Sequence, residues 1–213
     1  MGTGGEPTAA LSHDEARRRA AAARAGHTGD EAAARRLVGD ASARVRATAL
    51  AALGRLGVAT GADVAAALAD PDPLVRRRAC AVAATVAAVD PLAPLPLLDD
   101  PDPLVAEAAA WALGERGAEA AGAVGALARV ASSAGDALCR EAAVAALGAI
   151  GHPAGLPAVI AATADKPAVR RRAVIALAPF EGPEVEAALR RALEDRDWQV
   201  RQAAEDLLAG EDG

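Results

Sequence analysis

One helical stripe is written six times along the chain at a nearly fixed interval. Its anchors are Val45, Val75, Val105, Cys139, Val169 and Val200, spaced 30, 30, 34, 30 and 31 residues apart. An Arg follows the anchor at Arg46, Arg76, Arg140, Arg170 and Arg201, while the third copy has Ala106. Four residues past each anchor stands an Ala: Ala49, Ala79, Ala109, Ala143, Ala173 and Ala204. A helix pair of this length cannot bury its apolar face alone and must stack on a neighbour. The period therefore predicts an all-α solenoid of six helix pairs, not a globule around one central core.

The composition fits close helix packing. Apolar residues are 53% of the chain, aromatics only 1%, and there is no Tyr. Ala supplies most of that apolar count; it is the best helix former and lets backbones approach closely. The formal charge of −6 argues against a general nucleic-acid binder, which carries a basic footprint. No run of about 18 apolar residues lacks a charge, Pro or Gly, so no membrane span is expected. Met1 to Ala10 lacks a basic region followed by an apolar stretch, so no signal peptide is expected either. Cys80 and Cys139 fall two copies apart, roughly 20 Å at the usual helix spacing. A disulfide needs Cα atoms within about 7 Å. Two reduced thiols and a cytoplasmic location follow as expectations.

The second copy shows the design of one unit. A short first helix covers Ala62 to Ala69, and Asp70-Pro71-Asp72-Pro73 makes the turn. Asp72 is placed to accept from the free N–H groups of the next helix. Pro73 takes the first helical position, where its missing N–H costs nothing. The second helix runs from Pro73 to about Ala87. Copy three repeats the turn as Asp100-Pro101-Asp102-Pro103; the caps elsewhere are Ser42, Asp136 and Asp197. The anchor and the positions four, seven and eight beyond it share one stripe, as in Val45, Ala49, Ala52 and Leu53. Leu-Gly-x-x-Gly often closes the helix, at Leu53, Leu113 and Leu147. The second Gly suits a left-handed helix end, and the first admits a neighbouring backbone.

This pattern resembles the HEAT repeat, in the short bacterial form also described as the phycobilisome-lyase HEAT-like repeat. The carrying residues are Asp70-Pro71-Asp72-Pro73-Leu74-Val75-Arg76 and Arg46-Ala47-Thr48-Ala49-Leu50-Ala51-Ala52-Leu53-Gly54. The resemblance implies a right-handed α-α superhelix of the HEAT/armadillo type. It also implies a ladder between successive units, with Asp40, Asp70, Asp100 and Asp195 facing Arg46, Arg76, Arg140, Arg170 and Arg201. Ala106 interrupts it in the third copy.

The ends and two joints depart from the rule. Residues 1–10 are expected to be disordered and 11–213 to form one domain, a capping helix over 11–29 and repeats over 30–213. Ser12-His13-Asp14-Glu15 reads as a capping box. Aligning Ala16 with the anchors puts Arg17 at the ladder register and Ala20 and Ala23 in the stripe. At the other end Glu205, Asp206 and Glu211-Asp212-Gly213 make the last helix polar. Pro91, Pro94 and Pro96 predict a short or irregular first helix in copy three. The four extra residues of copy four read as a longer loop at Ser132-Ser133-Ala134-Gly135.

In proteins resembling this one the second helices line the concave side. Opposite the stripe, position two past the anchor reads Ala47, Arg77, Glu107, Glu141, Arg171 and Gln202. Position six reads Ala51, Ala81, Trp111, Ala145, Ile175 and Asp206. Trp111 is the one large aromatic in these rows, with Glu107 and Glu115 one row away on its own helix. It reads either as a binding hot spot or as a side chain folded onto an Ala-rich neighbour. Trp198 is expected to cover a repeat junction, and Phe180 to staple two helices. His13, His27 and His152 fall at helix starts or turns with no metal-ligand spacing, and no His-Glu dipeptide occurs. Arg76-Arg77-Arg78 and Arg170-Arg171-Arg172 suit an anion or a solvated, ion-paired face. No hydrolase triad order, phosphate loop or dinucleotide fingerprint is present.

Three function classes remain at this stage. The expected one is a non-enzymatic, monomeric scaffold without a cofactor. It binds a protein or peptide on its concave face through Trp111, Arg77, Glu107, Glu141 and Arg171. The second, resting on fold analogy, is a lyase-like or chaperone-like subunit acting on a tetrapyrrole-bearing protein. The third is a HEAT-like DNA-binding or DNA glycosylase relative, which wants a basic, aromatic-lined channel that this charge and composition disfavour.

Overall fold

The protein's structure is a computed structural model, which describes residues 12–211. The disorder expected of residues 1–10 and the polar tail at Asp212-Gly213 lie outside the described residues. The chain forms two compact units, Met1–Ala59 and Thr60–Gly213.

The first unit holds α1 (His13–Thr28), α2 (Glu31–Leu37) and α3 (Ala43–Arg55). Ser12 caps α1 by accepting from the Glu15 N–H at 3.1 Å. The reciprocal half of the expected capping box is absent; the Glu15 carboxylate instead accepts from the Ser42 hydroxyl at 2.6 Å. In α3 the stripe Val45, Ala49, Ala52 and Leu53 is fully buried. The register assigned to α1 needs correction. Ala16 and Arg17 are exposed, and the buried residues are Ala22, Ala25 and Gly26. A Cβ on Gly26 would lie 2.9 Å from the Ala52 Cα. Gly26 is therefore the close-approach glycine of this copy, and Arg18, not Arg17, holds the ladder position.

The second unit holds α4 (Gly61–Leu68), α5 (Pro73–Thr85), α6 (Pro103–Glu115), α7 (Val124–Ser133), α8 (Ala137–Ile150) and α9 (Leu156–Ala162). It continues with α10 (Pro167–Ala176), α11 (Pro183–Leu193) and α12 (Trp198–Glu211). No strand occurs among the described residues. Asp72, Asp102 and Asp136 cap α5, α6 and α8 by accepting from the N–H groups of Leu74, Leu104 and Leu138 at 2.9, 2.9 and 2.8 Å. Pro73 and Pro103 take the first helical position, as the turn sequence predicts. An unforeseen capping box starts α4, where Thr60 and Asp63 exchange hydrogen bonds.

The proline-rich segment of copy three yields only a 3-10 turn, Leu95–Asp99, in place of a first helix. Copy four does not follow its expectation. Ser132 and Ser133 stay helical, their hydroxyls donating to the Ala128 and Arg129 carbonyls at 2.8 Å. The extra length goes instead into a 3-10 segment, Gly117–Ala123, ahead of α7. Buried side chains from Cys80 to Ala204 make one apolar cluster. Phe180, 8% exposed, belongs to it. Among the described residues no helix is long and apolar enough to cross a membrane.

Candidate functional site

Two sets of side chains repeat on the second helices. One set joins neighbours. Arg76 Nε and Nη2 donate to Asp100 at 2.7 and 2.9 Å. Arg140 donates likewise to Asp165 at 2.7 and 2.7 Å, and Arg170 to Asp195 at 2.8 and 2.7 Å. In the first unit Arg18 does the same to Asp40 at 2.7 and 3.2 Å. These are bidentate, charge-assisted pairs. The remaining nitrogen, Nη1, turns back to the arginine's own turn. Arg76 Nη1 donates to the Asp70 and Pro71 carbonyls, both at 3.0 Å. Arg46 and Arg201 hold Asp40 O at 2.9 Å and Asp195 O at 2.7 Å in the same way. Each aspartate also organises its turn: Asp70, Asp100 and Asp195 accept from the N–H two residues on at 2.9, 2.9 and 2.8 Å.

Burial pushes the Asp100 carboxyl up, but bonds from Arg76 and from the Asp102 N–H outweigh it and hold the group below the ordinary carboxylate value. The guanidiniums of Arg18, Arg140 and Arg170 depress Asp40, Asp165 and Asp195. The ladder thus runs forward, from the Arg of one copy to the Asp of the next. Asp165 is a rung the sequence reading missed. It stands five residues before its arginine, where Asp40, Asp70 and Asp195 stand six before theirs.

Where Ala106 interrupts the ladder, Ala134 occupies the register of the missing aspartate. At the C-terminal end of α6, away from that joint, Arg116, its side chain 9% exposed, donates to the Val86 carbonyl at 3.1 Å and pairs with Glu119 at 2.7 Å. Cys80 and Cys139 are free and buried. Burial pushes the Cys80 thiol up to about 12, which leaves it protonated and unreactive at neutral pH.

The other set faces outward. Trp111 is 42% exposed and stands between Glu107 and Glu115, one helical turn to either side on α6. It forms the shared wall of two troughs. One, about 360 Å³, lies against α8 and takes in Glu107, Glu115, Glu141, Leu138 and Arg172. The other, about 230 Å³, lies against α5 and takes in Arg77, Arg78, Leu74 and Glu107. Alanines form the floors. Arg172 Nε sits 3.5 Å from Glu141 Oε1.

Three of the four residues expected around Trp111, namely Arg77, Glu107 and Glu141, therefore gather there. Arg171 does not. It lines a separate groove of about 460 Å³ with Ile175, Trp198 and Asp206. Trp198, 64% exposed, is a wall of that groove more than a cover over a junction. Arg78 and Arg172, the last members of the two arginine runs, reach the Trp111 troughs in its stead.

Paired helices stacked in register, with one recurrent contact carried from copy to copy, define an α-solenoid. The sequence profile of HEAT repeats matches residues 62–124, 91–168 and 158–209. These matches cover more than half of the chain, which belongs to the HEAT-repeat family.

Solved structures agree on the fold. YibA of Escherichia coli is 16% identical, with 93% of this chain and 75% of that one covered at a TM-score of 0.62. An engineered protein is 19% identical, with 84% and 97% covered at a TM-score of 0.63. A designed armadillo repeat protein in complex with the peptide (KR)4 is 17% identical, with 91% and 90% covered at 0.51. No curated protein matches the sequence.

Proposed function

We propose that this protein is a non-enzymatic scaffold, working as a single domain, that binds a segment of another protein on the face formed by α5, α6 and α8. One observation carries this reading: Trp111 is a large apolar side chain left exposed between two troughs, one richer in carboxylates (Glu107, Glu115 and Glu141 with Arg172) and one richer in guanidiniums (Arg77 and Arg78 with Glu107). A Trp held between acidic and basic groups suits an anchor that fills a partner's apolar contact while the charges select it. Carboxylates at Glu107, Glu115 and Glu141 disfavour a phosphate backbone. A designed armadillo repeat protein of related fold occurs in complex with a peptide, which supports a peptide segment as the guest.

The test compares wild type with Trp111→Ala as bait in quantitative affinity capture from the source cell. A specific partner should be lost by the variant, with its affinity reduced by about 2 kcal/mol or more. The melting temperature should stay unchanged, because the ring is not in the core. Retention of every partner by Trp111→Ala would overturn the reading.

A further inference from the structure

Resting on the reading of Trp111 as an anchor, we infer that the guest carries two opposite charges in a fixed arrangement across that ring. A lysine or arginine enters the trough between α6 and α8. An aspartate or glutamate, about three residues away, enters the trough between α5 and α6. The charge distribution makes the assignment. On the α8 side, Arg172 is engaged with Glu141. Among the described residues Glu107 and Glu115 have no hydrogen-bond or ion-pair partner. Two free carboxylates one turn to either side of an exposed indole attract a cation to the ring face, where the π-system adds to the attraction.

On the α5 side, Arg77 and Arg78 are exposed and likewise without a partner among the described residues, and they outnumber Glu107, the one carboxylate lining that trough. They offer forked donors to a carboxylate. The alanine floors and Leu74 and Leu138 accept the aliphatic stems. Neighbouring helices lie about 8–10 Å apart, so the two troughs are one such step apart. A polyproline II-type extended chain rises about 3.1 Å per residue with three residues per turn, which puts charges three positions apart on one face at that spacing. A guest with two like charges would set one of them against its own sign and is rejected.

The experiment uses the full chain, labelled with 15N, and follows the two indole N–H resonances, with Trp111 assigned by its loss in Trp111→Phe. The probes are acetyl-Ala-Lys-Ala-Ala-Glu-Ala-amide and its versions with Lys, Glu or both changed to Ala, plus a Lys/Lys and a Glu/Glu peptide. The mixed-charge peptide should shift Trp111 and bind about fivefold more tightly than either like-charge peptide. Glu115→Gln should weaken it about threefold and have no effect once the peptide Lys is Ala. Arg77→Gln with Arg78→Gln should weaken it similarly and have no effect once the peptide Glu is Ala.

Equal binding of the like-charge peptides, or variants that act alike on every peptide, overturns the inference. So does a Trp111 resonance that moves with protein concentration alone, which would assign the face to a second copy. If charge proves irrelevant while Trp111→Ala still loses its cellular partner, the pairing falls and the anchor stands. If Trp111→Ala keeps every partner, both fall.

Discussion

Between α8 and α10, Arg140 grips Asp165 with two bonds of 2.7 Å, and Gly148 lets Ala176 come so near that a Cβ would meet its Cα at 2.7 Å. Between α6 and α8 the glycine contact survives, Gly114 standing 3.0 Å by the same measure from the Ala146 Cα. The ion pair does not: Ala106 and Ala134 stand at the registers of its two members. The joints therefore share the backbone contact and differ in the charge pair. Where the pair is absent, both members are absent together. Arg170 is only 6% exposed; an arginine at that depth without its aspartate would be a desolvated, uncompensated charge. Close helix contact supplies adhesion at both joints. The charge pair adds a directional lock that can be omitted whole but not halved.

The comparison breaks most easily at the glycines. Gly148→Ala should destabilise by about 3 kcal/mol, because the added methyl meets backbone that cannot swing aside. Gly114→Ala should cost less, since its contact is looser. Equal and negligible effects in a urea melt would remove the shared term from the argument. Arg76→Ala comes next. Asp100 has a side chain 3% exposed and would be left without its fork, costing about 1–3 kcal/mol. A melt identical to wild type would show that this rung is dispensable.

The lock can also be rebuilt. Ala106→Arg alone should destabilise by about 1–3 kcal/mol, and Ala134→Asp added to it should recover most of the loss. The coupling from the double-mutant cycle measures the pair, and zero coupling would mean that this joint has no room for it. The smallest effect is with pH. Asp100 is held below its ordinary 3.8 in the folded state, so folding releases protons as this group titrates. The contribution of the pair is complete above the unfolded value and is lost as pH falls through the lower folded one. The stability gap between wild type and Arg76→Ala should therefore narrow as pH is lowered below about 4. A constant gap from pH 6 to pH 3 would contradict that linkage.

Much of this was legible because repetition turns one residue's role into six readings of it. The anchors, caps and Leu-Gly-x-x-Gly ends follow from register alone, and Gly57, Gly117 and Gly151 do take positive φ. Asp165 was missed because its turn is one residue shorter, and Arg18 because the capping copy keeps its glycine but has no apolar anchor to align. For the Trp111 face, periodicity found the rows but not the division of charge. That division depends on which neighbour shares a trough, and a long arginine side chain crosses more than one row. Arg172 reaches Glu141 across the joint, while Arg171, one residue earlier, belongs with Trp198.

The double duty of the ladder guanidinium has a mechanical consequence. Nη1 fastens the arginine to its own turn, while Nε and Nη2 hold the following copy, so tension passed along the second helices travels through one side chain into both. Such a coupling is stiff until it parts. Once it has parted, the turn it secured loses its own fastening as well. Stretched in a force spectrometer, the region of Arg140, Asp165, Arg170 and Asp195 should yield in abrupt steps of about one copy each. The stretch between α6 and α8, held by contact without a bolt, should give way more gradually.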